Sequence, residues 1–430
     1  MSLTQYQKDF LTKLISIRSV GGDAADGAPY GEGPREALDY FLGEADKLGF
    51  KTGNVGNRAG YVEFGSGDKL FGIICHLDVV PEGDGWNTDP FTLTFKESDK
   101  QGTLMYGRGI VDDKGPAAAS FFAMKALLDE GKIPSDYRVR LIVGTDEERT
   151  ASCIEHYVEN DEVPAFSITP DAEFPVIFSE KSIFHVKIVD KNGENLTACG
   201  GSAVNMVPAK ASCVIEGQQF KANGKPAHAA RTDLGINAIE VLARTLHDSG
   251  IDLEKYPLLK FIHEFKGKEF TGCLMPDESG SLTSNIGLLK IDDEECSIII
   301  DFRVPIGYDL DDVFRNLSRK ATQYGLEATI DSALKGIYTD KNDPSVVKLT
   351  DIWSKHMSRL TGFTEGYREK YTDAVAIGGG TYAKFIPNTV AYGLQAPWHA
   401  DQCHQANEYA AVSDFLEWIE IMKEVIESFN

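Results

Sequence analysis

Four clusters of acidic residues and histidine punctuate the first 180 residues. Each falls where a short apolar run ends or just before a helical pattern begins. They are His76-Leu77-Asp78, Val111-Asp112-Asp113-Lys114-Gly115, Asp146-Glu147-Glu148 and Pro170-Asp171-Ala172-Glu173. The runs before them, Leu70 to Cys75, Tyr137 to Val143 and Ala165 to Thr169, read as strands. Between them Pro116 to Glu130 reads as a helix, with proline at its start and Gly131 as its stop. Strands alternating with helices predict a largely parallel sheet. In an open α/β sheet the carboxyl ends of the strands face the ligand crevice. Clusters almost a hundred residues apart in sequence can therefore converge.

The texture changes near Lys181. From Ile183 to Phe220 short apolar runs are broken by turns such as Lys191-Asn192-Gly193-Glu194. A helix is expected from about Leu234 to Ser249, strands at Ser281 to Leu288 and Cys296 to Val304, and a helix at Asp309 to Tyr324. This is the pattern of a separate α+β domain. Helical periodicity returns from Pro344 to Leu360 and from Val412 to Phe429. An amphipathic helix opens the chain, with Tyr6, Phe10, Leu14 and Ile17 at helical spacing. The expected architecture is an α/β domain (residues 1–180) interrupted by an inserted α+β domain (181–335) and completed by 336–430.

The chain has 430 residues, 43 basic and 66 acidic, for a formal net charge of -23. That balance argues against nucleic acid, whose binding needs clustered Lys and Arg, and against an anionic membrane surface. No apolar run reaches the roughly 18 residues of a membrane helix, and the first 20 residues do not read as a signal peptide. Seven cysteines, without a CxxC spacing, point to reduced thiols in cytoplasm rather than to a disulfide framework.

The clusters supply imidazole and carboxylates without thiolate pairs, a set that suits Zn²⁺, Mn²⁺ or Co²⁺ held for hydrolysis. Several carboxylates in one crevice repel each other unless cations neutralise them. Two divalent ions about 3.5–4 Å apart that share a carboxylate would meet both demands. Other readings stay open from the residues alone. Asp112-Asp113 could be a helix N-cap, and Glu147-Glu148 could be solvated charges opening a helix. Gly107-Arg108-Gly109 is a fragment of a phosphate loop without its third glycine or its Lys-Ser/Thr.

These clusters, with His404-Gln405-Ala406-Asn407-Glu408, resemble the co-catalytic di-metal peptidases and deacylases. That superfamily holds carnosinases, aminoacylases, succinyl-diaminopimelate desuccinylase and glutamate carboxypeptidases. Thr169-Pro170-Asp171-Ala172-Glu173-Phe174-Pro175 looks most like the bacterial Xaa-His, or carnosinase-like, dipeptidases. The resemblance runs over nearly the whole chain, with the motifs in matching order. It implies a mostly parallel-sheet di-metal peptidase domain with residues 181–335 as an inserted lid.

The resemblance also implies roles. His76 and Asp171 would bind one metal, Glu148 and His404 the other, and Asp112 would bridge them; the Asp112-Asp113 bond would be cis. Glu147 would be the general base for a metal-bridged water. Asp78 would accept the second imidazole proton of His76. Gly224-Lys225-Pro226-Ala227-His228-Ala229 resembles the lid motif whose histidine, here His228, steadies the oxyanion. The usual Ala-His-Ala-Ser-x-Pro is replaced by Ala-His-Ala-Ala-Arg. Asn205 resembles a second polar contact, Arg303 the arginine that grips a substrate carboxylate, and Gly379, in Gly378-Gly379-Gly380, a backbone approach to substrate. The alternative for Arg303 is a structural ion pair with Asp301. His399, Cys75 and Cys403 read as a partly exposed loop histidine and two buried neutral thiols.

The implied activity is metal-dependent hydrolysis of dipeptides or short peptides with a free carboxylate. Asp171 favours it, because deacylase relatives tend to carry Glu there. Glu173 is a candidate partner for a free ammonium group. An N-acyl-amino-acid deacylase on the same scaffold is the alternative. A catalytically dead binding protein is a third reading, disfavoured because every ligand and Glu147 are present. Partners are a small peptide substrate and two divalent ions, zinc or alternatively manganese or cobalt. The long inserted segment implies a monomer.

Overall fold

The computed structural model describes residues 2–429, which form two compact units. The first holds the chain up to Phe178, Thr339–Val375 and the segment from Thr381 onward. The second holds Ser179–Tyr338 and Ala376–Gly380.

In the first unit a mixed sheet runs in the order Lys51–Val55, Ala59–Gly65, Tyr137–Gly144, Lys69–His76, Phe166–Thr169, Thr389–Tyr392 and Val176–Glu180. The four central strands are parallel, as the alternation of strand and helix predicts. The edges are antiparallel. On one side the cause is local: Gly56 and Asn57 take left-handed conformations and fold Lys51–Val55 back on Ala59–Gly65 as a hairpin. Every residue of Lys69–His76 after the lysine is buried, so its apolar run is continuous rather than alternating.

The helix Lys114–Asp129 is buried on almost every side, as a helix apolar all round must be. It stops where expected. The Gly131 N–H donates to the Leu128 carbonyl at 3.1 Å, and the Lys132 N–H to that of Leu127 at 2.9 Å. Left-handed Gly131 makes this closing pair of bonds possible. The opening helix, Gln5–Ser16, is fixed by a Thr4/Gln7 capping box and buries Phe10, Leu11, Leu14 and Ile15. Among the helices not legible in the sequence are Glu32–Lys47 and Ser152–Asn160. Neither has a side-chain cap, and the first carries Gly33 and Pro34 in its opening turn.

His356 ends the helix Pro344–His356 and is 4% exposed. Its Nδ1 donates to Glu417 at 2.5 Å and its Nε2 to Glu424 at 2.9 Å, both on the terminal helix Val412–Ser428. Two donors require the imidazolium. Burial pulls its pKa down, but the two carboxylates outweigh burial and hold it above the ordinary value. A raised folded pKa stabilises fully below the unfolded value, about 6.5, and the benefit is lost as pH rises through the folded value. His356→Gln is therefore expected to lower the melting temperature more at pH 6 than at pH 9. Equal losses at both pH values would refute the charged ring.

The second unit is a seven-stranded antiparallel sheet in the order Gln218–Asn223, Lys210–Ile215, Leu196–Gly200, Thr283–Ile291, Cys296–Val304, Ser182–Val189 and Glu327–Leu334. Along Ser182–Val189 burial alternates, so Phe184, Val186 and Ile188 enter the core. That core also takes the apolar faces of Ala238–Asp248, Pro257–Glu264 and Leu310–Gln323. The helix expected from Leu234 begins later. Gly235 interrupts the pattern, and the Asn237 side chain caps Ile239 and Glu240. Among the described residues no helix is long and apolar enough to cross a membrane.

Candidate metal centre

The parallel register places three of the four clusters at one end of the first unit's sheet. His76 is the last residue of its strand, and His76 pairs in register with Gly144, just before Asp146-Glu147-Glu148. Asp171 follows Phe166–Thr169, and the loop bearing His404 follows Thr389–Tyr392, its parallel neighbour. Asp112 precedes the helix Lys114–Asp129, and its bond to Asp113 is cis.

Two groups with ligand atoms close enough to hold a cation share Asp112. One is His76, Asp112 and Asp171, the other Asp112, Glu148 and His404. The two carboxylate oxygens of Asp112 are divided between them. Oδ1 lies 3.1 Å from His76 Nε2, and Oδ2 lies 3.3 Å from His404 Nε2. His76 Nε2 is also 3.6 Å from Asp171 Oδ2, and His404 Nε2 is 3.0 Å from Glu148 Oε2. Glu147 belongs to neither group.

The electrostatics are those of a cage that needs positive charge. Burial first, and then Asp112, push Asp171 up to about 7. Burial and Asp112 likewise raise Glu148. Hydrogen bonds to Asp112 and Glu148 raise His404 to about 11. His76 is raised well above its usual value because Asp112, Asp78 and Asp171 outweigh its burial. Each imidazole thus draws a proton to the face it turns toward the carboxylates, where a cation would displace it. The donor set, two imidazoles and three carboxylates without thiolate, fits two divalent ions.

The sequence comparisons agree with this geometry. The family profile described as Peptidase family M20/M25/M40 matches residues 72–428. The chain belongs to peptidase family M20/M25/M40. As a member it is a metallopeptidase, a hydrolase. It is 32% identical over 449 residues to the Bacillus subtilis protein named Putative dipeptidase YtjP, covering 94% of this chain and 93% of that protein. A Staphylococcus aureus protein named Putative dipeptidase SAB1611c is 31% identical over 465 residues, covering 97% and 96%. Among solved structures, the aminoacylhistidine dipeptidase of Vibrio alginolyticus shares the fold with a TM-score of 0.62 at 11% identity, covering 100% of this chain and 98% of that one. The M20 family metallo-carboxypeptidase of Sulfolobus solfataricus does so with a TM-score of 0.61 at 17% identity, covering 99% of each.

Within this M20 chain the cage is held by groups that sequence reasoning placed differently or missed. His76 Nδ1 donates to the backbone carbonyl of Asp78 at 3.0 Å, with the Asp78 carboxylate 3.5 Å away. That carboxylate mainly serves another purpose. Its Oδ1 accepts the Glu147 N–H and its Oδ2 the Glu148 N–H, each at 3.1 Å. Asp78 thus sets the backbone of both glutamates. Asp113 stands at the N-cap position, yet its side chain caps nothing in its helix. It accepts the His76 N–H at 2.9 Å instead. Lys114, fully buried, donates to the Leu14 and Ile17 carbonyls at 3.0 and 2.7 Å, and burial pulls its pKa down to about 7. Gly115 has no alternative, because a Cβ there would meet the Ile110 carbonyl oxygen at 1.9 Å. All of these bonds join positions distant in sequence or run from side chain to backbone, so neither periodicity nor composition signals them.

The remaining predicted residues lie in the second unit. The His228 Nδ1 accepts the Ala230 N–H at 3.2 Å, which leaves the neutral ring's proton on Nε2. Its neighbour Ala229 donates to the Asn205 carbonyl at 2.9 Å, so Asn205 and His228 are backbone neighbours. Arg303 makes the alternative ion pair: Nε and Nη2 meet the two Asp301 oxygens at 2.8 Å each. Its Nη1 donates to the Gly378 carbonyl at 3.1 Å, beside Gly379. Of the other residues singled out, His399 Nε2 donates to the Thr361 carbonyl at 2.8 Å. Cys75 is buried, and burial raises its thiol pKa well above the usual range. Cys403 is half-buried rather than buried, and burial raises it too. Glu173 is exposed, paired in register with Gln395.

Proposed function

We propose that this peptidase hydrolyses dipeptides and short peptides with a free carboxylate, using two divalent metal ions, zinc or alternatively manganese or cobalt. The observation that carries the reading is the division of the Asp112 oxygens between two ligand groups, with Glu147 outside both. His76 and Asp171 would hold one ion, Glu148 and His404 the other, and Asp112 both. Bound there, the ions supply Lewis-acid polarisation of the scissile carbonyl and a lowered pKa for water. Glu147 takes the proton of the attacking water and passes it to the leaving amine. It can do so because it is not committed to the cations. Asp78 aims it, through the two backbone N–H bonds.

On the second unit, read as the lid, His228, its backbone neighbour Asn205 and the Gly379 backbone are the candidate contacts to substrate, with His228 the candidate to steady the oxyanion. Arg303, whose Nε and Nη2 pair with Asp301 and whose Nη1 donates to the Gly378 carbonyl, is the candidate for a substrate carboxylate through the one N–H left on each Nη. Asp301 holds the fork rigid, so the ion pair and the substrate role are compatible. The length of the second unit favours a monomer, and seven free cysteines favour a reducing, cytoplasmic site of action.

The dipeptidase names of the full-length relatives support peptides over acyl amino acids. Assays of dipeptides, tripeptides and N-acetyl amino acids in parallel, with zinc, manganese or cobalt added, test this. Dipeptides are expected to be cleaved fastest. Cleavage of N-acetyl amino acids without dipeptides would establish the deacylase instead.

A further inference from the structure

The carboxylate of Glu408 is fully buried and accepts four N–H bonds. Oε2 takes Arg108 Nη1 and the Gly109 N–H, both at 2.9 Å. Oε1 takes the Val111 N–H at 2.7 Å and the Asp112 N–H at 3.2 Å. The Glu408 carbonyl also accepts the Gly107 N–H at 3.2 Å. The loop from Gly107 to Asp112 belongs to no helix or strand, so its amides have no ladder to join. A buried N–H without a partner is costly, and one carboxylate satisfies three of them together. The arrangement is an anion-binding nest whose anion comes from the protein itself.

Glu408 stands four residues after His404. The chain between them is pinned as well. His404 and Asn407 are both left-handed, with φ of 62° and 64°. The Asn407 side chain accepts the Asn87 N–H at 2.7 Å and donates to the Gly85 carbonyl at 3.0 Å. One short segment thus ends in a metal-ligand candidate at one side and grips the backbone of the bridging candidate at the other.

We propose that Glu408 is the positioning residue that sets Asp112 and His404 at the spacing two cations require. The inference rests on the two-cation reading of the centre. Glu408 touches none of the candidate ligand atoms; it acts through the backbone of Asp112. Loss of such a support costs about 10–100-fold in metal affinity or activity.

Glu408→Gln turns a donor toward the amides or toward Arg108 whichever way its amide is placed. The control is Glu63→Gln, which breaks a buried ion pair with Arg140, 2.5 Å between Nη2 and Oε2, on the strand Ala59–Gly65. It destabilises the same unit without touching the cage. Metal-stripped proteins are titrated calorimetrically with Zn²⁺, and dipeptide kinetics are measured at saturating metal. In Glu408→Gln the affinity for at least one ion is expected to fall about 10–100-fold. Its kcat falls by a similar factor, with KM within about threefold. Glu63→Gln lowers the melting temperature and leaves both affinities unchanged.

Wild-type affinity in Glu408→Gln would overturn the proposal, and so would an equal loss of affinity in both variants. Should Glu408→Gln fail to fold, Glu408→Asp, which keeps the charge but shortens the reach, is expected to show an intermediate loss; unaltered affinity there would also overturn it. A wild-type protein that binds two ions but cleaves no dipeptide refutes the peptide-substrate reading alone, because affinity is read without substrate.

Discussion

Glu147→Ala is expected to lower kcat by about 10²–10⁴-fold, the range of a lost general base, while both metal ions stay bound. The expectation follows from where this glutamate stands. It is absent from both ligand groups, whereas its neighbour Glu148 approaches His404 at 3.0 Å. Their backbones are held by the two oxygens of one carboxylate, Asp78. Successive side chains leaving so fixed a backbone point apart, and one can ligate while the other faces the reacting water. Burial raises the Glu147 carboxyl well above its usual range, and Asp171, Glu148 and Asp112 push the same way against His76. Bound cations oppose the push of those acids. Steady-state kinetics on a dipeptide, with metal content measured on the same sample, check the expectation. A loss smaller than about tenfold with both ions retained would refute the base.

Chelation is expected to abolish activity and to lower the melting temperature by about 5 °C or more, with both recovered on adding zinc. A ligand present at 100 times its dissociation constant stabilises by about 2.7 kcal/mol. A shift of about 2–4 °C per kcal/mol is usual for a domain of 150–250 residues. The centre gathers Asp112, Glu147, Glu148 and Asp171 around two imidazoles, and removing the ions would leave those carboxylates to be neutralised by protons alone. Calorimetry with and without chelator measures the shift. An unchanged melting temperature would mean that the centre does not bind metal in the folded protein.

Much of this was legible in the sequence, for definite reasons. The strand Lys69–His76 is an unbroken apolar run because both its faces are covered. Ser182–Val189 alternates because its sheet presents only one face to the core. The cluster after each central strand was visible because parallel strands bring their carboxyl ends to one edge. Uncapped helices were harder. Glu32–Lys47 is masked in the sequence because Gly33 and Pro34 in its first turn resemble a loop. Ala238–Asp248 starts several residues after the periodicity suggests, because Asn237 provides the cap.

The sequence by itself determined the kind of chemistry: imidazoles and carboxylates without paired thiolates, in an order that alternates with strands. It also determined that a differently textured unit interrupts that order, because side-chain periodicity reports how many faces of an element are covered. The tertiary structure alone decided what each acid does. Asp78, Asp113 and Glu408 are three acidic side chains, all fully buried. One holds the backbone of two glutamates, one the N–H of His76, and one the loop of Asp112. The reason is physical. A buried carboxylate takes its role from the N–H groups that converge on it, and those groups come together only when strand order brings distant segments to the same edge.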